Sequence, residues 1–413
     1  MSPPLLLGFT VPDDLMDVLL KADSTPPIQT HKFAWALARS LKAGFGDVRL
    51  FSAAPVQSFP HVRRLVFRKR AFRQDGVDGR CMGFVNLIGL KHVTRFLACL
   101  AATPRLLREG TDTVFVHGVH TPFLAYGWLL SFLGVRFLPV VTDPPGVVLP
   151  TDGRLARALK ALDRRIAVLF IGRAHGLVTL SPAIAELFPH RRTLVFPGIL
   201  NADWLATLAR QPAPAERDGP VTVVYAGGLS RAYGAHHLLA AAESLPDVRF
   251  VIFGKGELAE EIGAARAPNL TYGGFVDAQA LAPHLLGADI LINPRPSDQD
   301  FARYSFPSKL IEYGATGRAV LTTRIASLPA ELKDVFFFIE DESSNGIVEA
   351  ISRLASMAPE ARLAQAERAR AVILRAWSEA GIGHRLAAFA AGSEAADAVP
   401  PGGAPEDAGV GGR

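Results

Sequence analysis

The chain has 413 residues and a formal net charge of +5, from 44 Lys+Arg against 39 Asp+Glu, with 49% apolar and 20% charged side chains. That length exceeds what one core fills and that composition excludes a disordered chain, so about two globular domains are expected. Cys81 and Cys99 lie far from any CxxC or His-rich spacing, which excludes a zinc framework and a disulfide scaffold and fits a reducing cytoplasm.

Charge is unevenly shared along the chain. Residues 1–205 hold 25 basic and 14 acidic side chains, and residues 206–413 hold 19 and 25. The N-terminal stretch MSPPLLLGFTVPDD has no basic leader and a short apolar run, so it reads as a first core strand rather than a signal peptide.

In chain order, LLLGF, VRLFSA, TVFVHG, RFLPVV and GLVTLS read as strands, separated by helical stretches such as Gln29–Lys42 and Arg154–Ile171. The segment Val114–Val141 is apolar, but His117, His120, Pro122, Arg136 and Pro139 interrupt it; strand, loop, helix and strand of a packed core are expected there. Proline and charge concentrate in LARQPAPAERDGP, which places a linker between Pro197 and Pro220. The second half repeats the plan with VTVVYAGG, VRFVIFG, LTYGG, DILINP, AVLTT and FFFIE as strands, and helices near 234–245, 278–287 and 306–316. Alternation of this kind predicts an α/β protein of two doubly wound parallel sheets facing a cleft, with domains at 1–205 and 206–391. A helical stretch from Ala364 to Ala391 closes the second domain and reaches toward the first, and residues 392–413, almost free of large apolar side chains, read as a disordered tail.

Three stretches carry chemistry. In YSFPSKLIEYGATGRAVLTT, residues 304–323, Ser305 can cap a helix, Pro307 suits its first turn, Gly317 stops it, and Ala319–Leu321 begin a buried strand. Free N–H groups and the helix dipole favour a phosphate there, with Ser308 and Lys309 beside it and Glu312 three residues on along the same face. AGGLSRAYG, residues 226–234, follows a strand and opens a helix, so Gly227 and Gly228 allow close backbone approach and Arg231 can clamp a phosphate. VFVHGVHTP ends a strand at a loop bearing His117 and His120, and Asp143 in VVTDPPG ends the next strand; in open α/β sheets such ends face the crevice.

The order GGL, FGKG at 253–256, TYGGF at 271–275, ADILINP and SFPSKLIEYGATGRAVLTT resembles the donor domain of bacterial GT-B glycosyltransferases. The closest resemblance is to the large retaining family of polysaccharide, O-antigen and mannosyl transferases. It covers most of residues 221–330. It implies a nucleotide-sugar donor, UDP- or GDP-linked, with no other cofactor and no obligatory metal, and a glycan or lipid-linked acceptor. Glu312 matches the second glutamate of the family's Glu-x7-Glu motif and so accepts from ribose hydroxyls. Phe275 and Val276 occupy the loop whose backbone holds the base, and His120 resembles a histidine that touches the donor sugar. The chain also departs from the pattern: Tyr304 stands where the first glutamate is expected, and Gly228 and Tyr233 stand where an Arg and a Lys flank the diphosphate, leaving Arg231 and Lys309 as the cations.

Two basic stretches, residues 61–74 and 154–173, raise an anionic membrane surface as a partner. In the second, Leu155, Leu159, Leu162, Ile166 and Leu169 form one helical stripe opposite Arg157, Lys160 and Arg164. Nucleic acid is not expected, because aromatic interleaving and a recognisable binding fold are missing. Two other functions fit the same plan, a UDP-sugar epimerase and a non-catalytic nucleotide-sugar binder.

Overall fold

The computed structural model describes residues 2–22, 28–146, 153–188, 190, 192–212, 219–299, 304 and 306–393. The first domain holds β1 (Leu5–Gly8), β2 (Arg49–Ser52), β3 (Val66–Phe67), β4 (Arg70–Gln74), β5 (Val77–Cys81), β6 (Phe84–Val85), β7 (Thr113–His117), β8 (Arg136–Val141), β9 (Leu177–Thr179) and β10 (Thr193–Val195). The second holds β11 (Thr222–Gly228), β12 (Arg249–Lys255), β13 (Leu270–Gly274), β14 (Ile290–Asn293), β15 (Ala319–Thr323) and β16 (Phe337–Ile339).

Each domain is a doubly wound sheet. The first runs β10-β9-β8-β7-β1-β2-β5-β4, parallel except for β4 against β5, and the second runs β13-β12-β11-β14-β15-β16, parallel throughout. Strand order reverses between β1 and β7 in one sheet and between β11 and β14 in the other, and ligands bind outside the carboxyl ends of strands at such points. The apolar runs explain the burial: every residue of β1, β7, β14 and β15 is buried, as strands covered by helices on both faces require. The segment Val114–Val141 resolves into β7, the helix Thr121–Ser131 and β8.

Three features refine or depart from the sequence reading. The basic stretch 61–74 is not one element: it contributes β3, which pairs antiparallel with β6, and β4, which turns back on β5 through Asp75 and Gly76 at φ 53° and 67°. Two successive residues with positive φ make the Asp-Gly hairpin turn, whose backbone twist matches the strands it joins. The span 197–220 contains a helix, Ala202–Ala209, whose first turn is fixed by the Asn201 side chain accepting from the Asp203 amide at 2.7 Å. The single helix expected over 364–391 is two, Pro359–Trp377 and Glu379–Ala391, because Ser378 leaves helical geometry and caps the second by accepting from the Gly381 amide. Of the tail, residues 394–413 lie outside the described residues.

The last helix sits against the first domain, along the helix Ile28–Phe45. A Cβ on Gly383 would overlap the Ser40 carbonyl, so the two helix backbones touch where glycine allows it. Beside this contact Arg39 Nε donates to both Glu379 oxygens at 2.9 and 3.0 Å. The chain thus crosses from the second domain back to the first and ties the base of the crevice between them.

Candidate active site

The carboxyl ends of the two sheets face each other across a crevice of about 680 Å³, within the size range of small-molecule sites. The first domain lines it with Lys32 and Phe33, His117 at the end of β7, and Thr142 and Asp143 after β8. The second lines it with Gly227 and Gly228 at the end of β11, Tyr233, Asn293 and Arg295 around the end of β14, and the run Tyr304, Phe306, Pro307, Ser308, Lys309 and Glu312.

One wall is cationic. Lys309 is in the first turn of the helix Lys309–Gly314, and its Nζ lies 4.8 Å from the centre of the Tyr225 ring. A Cβ on Gly227 would overlap that ammonium, so the glycine is what lets Lys309 reach the turn. Burial pulls the Lys309 pKa down to about 8; Glu312 opposes the fall and Arg295 adds to it. Arg295 is 5% exposed, with its guanidinium 5.7 Å from the Tyr233 ring centre.

Glu312 projects from the same helix, open to crevice solvent but enclosed by protein on its other sides. Confinement pushes its carboxyl above the usual range, opposed by Lys309 and Lys32. Among the described residues no donor bonds that carboxylate, while the Glu312 backbone carbonyl accepts from Trp204 Nε1 at 3.3 Å. Opposite, His117 is 1% exposed, and among the described residues neither ring nitrogen has a hydrogen-bond partner. Burial lowers its pKa to about 4, so the imidazole is neutral at pH 7, one nitrogen a donor and the other an acceptor. Two orphaned nitrogens on a buried ring that borders a cavity are groups awaiting a polar ligand.

The crevice therefore gathers Asp143, Gly227, Gly228, Ser308, Lys309 and Glu312, and leaves out four residues expected there. His120 lies at the N-cap of the helix Thr121–Ser131, its ring packed on Phe123, His92 and Phe9 at 4.5, 5.1 and 5.2 Å between centroids. Gly118, at φ 83°, turns the chain at the strand end, so His117 faces the crevice and His120 does not. Arg231 is directed outward, 64% exposed and 3.8 Å from Glu261. Phe275 is 69% exposed under the Lys255 ammonium, and Val276 packs on the core. The helix beginning at Ser308 is shorter than the expected 306–316, and Ser305, its expected cap, lies outside the described residues. Arg295 and Lys32 carried no motif, and Asn293 lay within ADILINP without being singled out; the one signal for Arg295 was its place just past a strand end, in INPRP.

The family described as Glycosyl transferases group 1 matches residues 220–357. Comparison with curated protein sequences gives no match. Solved structures share the fold over nearly the whole chain. Sucrose-phosphate synthase from Thermosynechococcus elongatus is similar at a TM-score of 0.56 and 16% identity, over 93% of this chain and 97% of that one. A trehalose-6-phosphate structure from E. coli, bound with UDP-2-fluoro glucose, gives 0.57 and 14% over 90% and 95%. Anabaena HepE in complex with UDP gives 0.57 and 13% over 95% and 100%. Residues 220–357 are thus a glycosyl transferases group 1 domain, set in a chain that has the GT-B fold throughout.

Proposed function

We propose that the crevice holds a nucleoside diphosphate sugar, UDP- or GDP-linked, and that the chain transfers its sugar to a glycan or lipid-linked acceptor with retention and without an obligatory metal. The observation that carries this is the wall where Lys309 lies in the space left by Gly227, with Arg295 beside it and Glu312 one turn along. Two cations on a departing diphosphate stabilise the charge that develops as the glycosidic bond breaks, which is the main catalytic term such a site can supply. Glu312 is an acceptor suited to a ribose diol, and neutral His117 can bond a sugar hydroxyl from the opposite wall. Asp143, whose Oδ2 accepts from Thr142 Oγ1 at 2.8 Å, stands on the acceptor side. UDP in the Anabaena structure and the UDP-sugar analogue in the E. coli one favour a uridine donor.

Among the described residues the crevice-lining carboxylates are Asp143 and Glu312, fewer than elimination and re-addition by an epimerase call for. Titrating the protein with UDP and GDP, then following donor consumption and the anomeric configuration of product by NMR, tests the reading. Absence of nucleotide binding overturns it; binding with epimerised donor, or with no turnover on any acceptor, replaces it with one of the two alternatives.

A second observation favours a membrane-apposed enzyme, on the inner face of the cytoplasmic membrane. The leucine stripe of the helix Arg154–Ile171 faces outward: Leu155, Leu159, Leu162 and Leu169 are 74%, 58%, 54% and 50% exposed. The neighbouring helix end adds Phe132 and Leu133, 69% and 55% exposed. Outward leucines on a helix whose other face carries Arg157, Lys160 and Arg164 fit an anionic lipid surface. No helix among the described residues is long and apolar enough to cross a bilayer, so contact would be peripheral.

A further inference from the structure

A second cavity, of about 210 Å³, opens in the first domain apart from the crevice, between the helix Asp13–Ala22 and the β3–β4 segment. Arg64, Arg68 and Arg70 line it against a single carboxylate, Asp14, which pairs with Arg70 at 2.7 Å. Among the described residues Arg68 has no hydrogen-bond or ion-pair partner, and the Arg64 guanidinium bonds only the Val66 carbonyl and lies 4.8 Å from the Phe67 ring centre. The remaining wall is apolar, including Leu15, Phe67 and Met82.

Two more cations are buried behind that wall. Arg95, 3% exposed, donates to the carbonyl of the cavity-lining Ala54 at 2.7 Å and stacks on Phe84 at 4.3 Å; Phe84 in turn stacks on Phe67 at 4.8 Å. Lys91, 8% exposed, donates to the Val56 carbonyl at 3.0 Å. No carboxylate pairs with either among the described residues, and burial holds Lys91 down to about 8 and Arg95 to about 10. Uncompensated buried cations cost stability, and an anion nearby recovers part of that cost. Around the β3–β6 ribbon apolar side chains are exposed among the arginines: Leu65 and Val66 are 46% and 55% exposed, and Ile88, just after β6, is 80% exposed.

We propose that this cavity binds the phosphoryl head group of an amphiphile, with Arg64, Arg68 and Arg70 on the phosphate and the Leu15, Phe67 and Met82 wall against the first carbons of its chain. The arginines supply paired N–H donors matched to phosphate oxygens. The exposed apolar rim extends the same contact to the tail. The site lies outside the crevice and stands independently of the donor reading.

The test is calorimetric titration of the full chain with farnesyl phosphate and with dihexanoyl phosphatidic acid, each below its micellar concentration, beside farnesol and inorganic phosphate. Both phosphorylated amphiphiles share the recognised chemistry, and the tighter one names the source, isoprenoid carrier or membrane phospholipid. Arg64→Gln/Arg68→Gln is expected to weaken the tighter ligand at least tenfold, and Arg68→Gln alone, which removes no internal contact, to weaken it measurably. UDP binding in the crevice stays unchanged in both variants. Equal affinity in wild type and Arg68→Gln, or farnesol binding as tightly as its phosphate, overturns the proposal; inorganic phosphate binding as tightly as the amphiphiles overturns its apolar half. Loss of UDP binding by the wild-type chain would count against the donor reading and leave this one standing.

Discussion

The Tyr313 hydroxyl is bonded twice to one residue of the opposite segment, donating to the Ala226 carbonyl at 3.0 Å and accepting from the Ala226 amide at 2.7 Å. β14 pairs with β11 only at Val223 and Val224, so the side chain bonds Ala226 beyond the point where that pairing stops. Tyr313 is 1% exposed and one residue from Glu312. A single phenol therefore sets the distance between the glycine turn and the helix bearing Lys309 and Glu312.

Tyr313→Phe is expected to leave both Ala226 groups unmatched at a cost of about 1–3 kcal/mol. Thermal denaturation should show the loss of stability, and UDP affinity should fall at least severalfold because the two walls of the donor site lose their register. Unchanged UDP affinity alongside a lowered Tm would mean that the bond is structural only.

Gly227→Ala separates folding from binding more sharply. The added Cβ meets the flexible end of Lys309 and, at 2.9 Å, the Tyr225 hydroxyl, but no backbone, so the ammonium can swing away, the phenol needs only a small shift, and the domain still folds. Tm is expected within a few degrees of wild type while UDP affinity drops about tenfold or more, roughly the worth of one charge-assisted hydrogen bond. Equal loss in Gly227→Ala and in Gly228→Ala, whose Cβ would meet the Tyr233 ring at 2.8 Å, would argue for backbone strain instead.

Lys309 gives the donor site a pH limit. With its pKa lowered to about 8, the ammonium proposed to meet the diphosphate is present below pH 8 and lost above it. UDP affinity should fall about tenfold per unit once the pH passes that value. The stability linkage runs the other way: a lysine whose folded pKa is depressed disfavours folding when charged, so its contribution improves as pH rises from about 8 toward the unfolded value near 10.5. Lys309→Met should bind UDP weakly with no such slope, and a slope that persists in Lys309→Met would assign the titration to another group.

What could be read without coordinates was local and periodic. Gly317, at φ 72°, closes the turn that follows the helix Lys309–Gly314, where the sequence places its stop, and the buried strands follow from unbroken apolar runs such as TVFVH and AVLTT. Two glycines in AGGLSRAYG mark a close approach, but not what approaches: Gly227 admits the Lys309 side chain from a helix some eighty positions on (about, by sequence numbering). The choice between Arg231 and Arg295 was not legible for the same reason. Both follow a strand, yet the 3-10 turn at Arg231–Tyr233 aims Arg231 at Glu261 and puts the Tyr233 ring under Arg295. His117 and His120 differ by one turn at Gly118 that no periodicity reports.

His117→Ala and His120→Ala should therefore have opposite signatures. Removing His117, whose nitrogens border the crevice, is expected to lower kcat by about tenfold or more beyond whatever Tm its buried ring contributes, as for a group that bonds the reacting sugar. Removing His120, packed against Phe9 and Phe123, should lower Tm through the cavity left behind and leave kcat close to wild type. The reverse pattern would move the sugar contact back to His120.

The outward leucine stripe yields the last test. Replacing Leu155, Leu159 and Leu162 with Gln removes apolar side chains that bury little within the protein, so Tm should hold or rise. If the helix lies on a bilayer, co-sedimentation with anionic vesicles should fall in this variant and also in Arg157→Gln/Lys160→Gln/Arg164→Gln, whose wild-type charges draw the helix to the lipid at about 1 kcal/mol each. Raising the salt should abolish most of the charge-dependent part, since exposed charges are screened beyond about 10 Å at 0.1 M. Sedimentation unaffected by either triple substitution would remove this face from the membrane and leave the stripe to cover another protein.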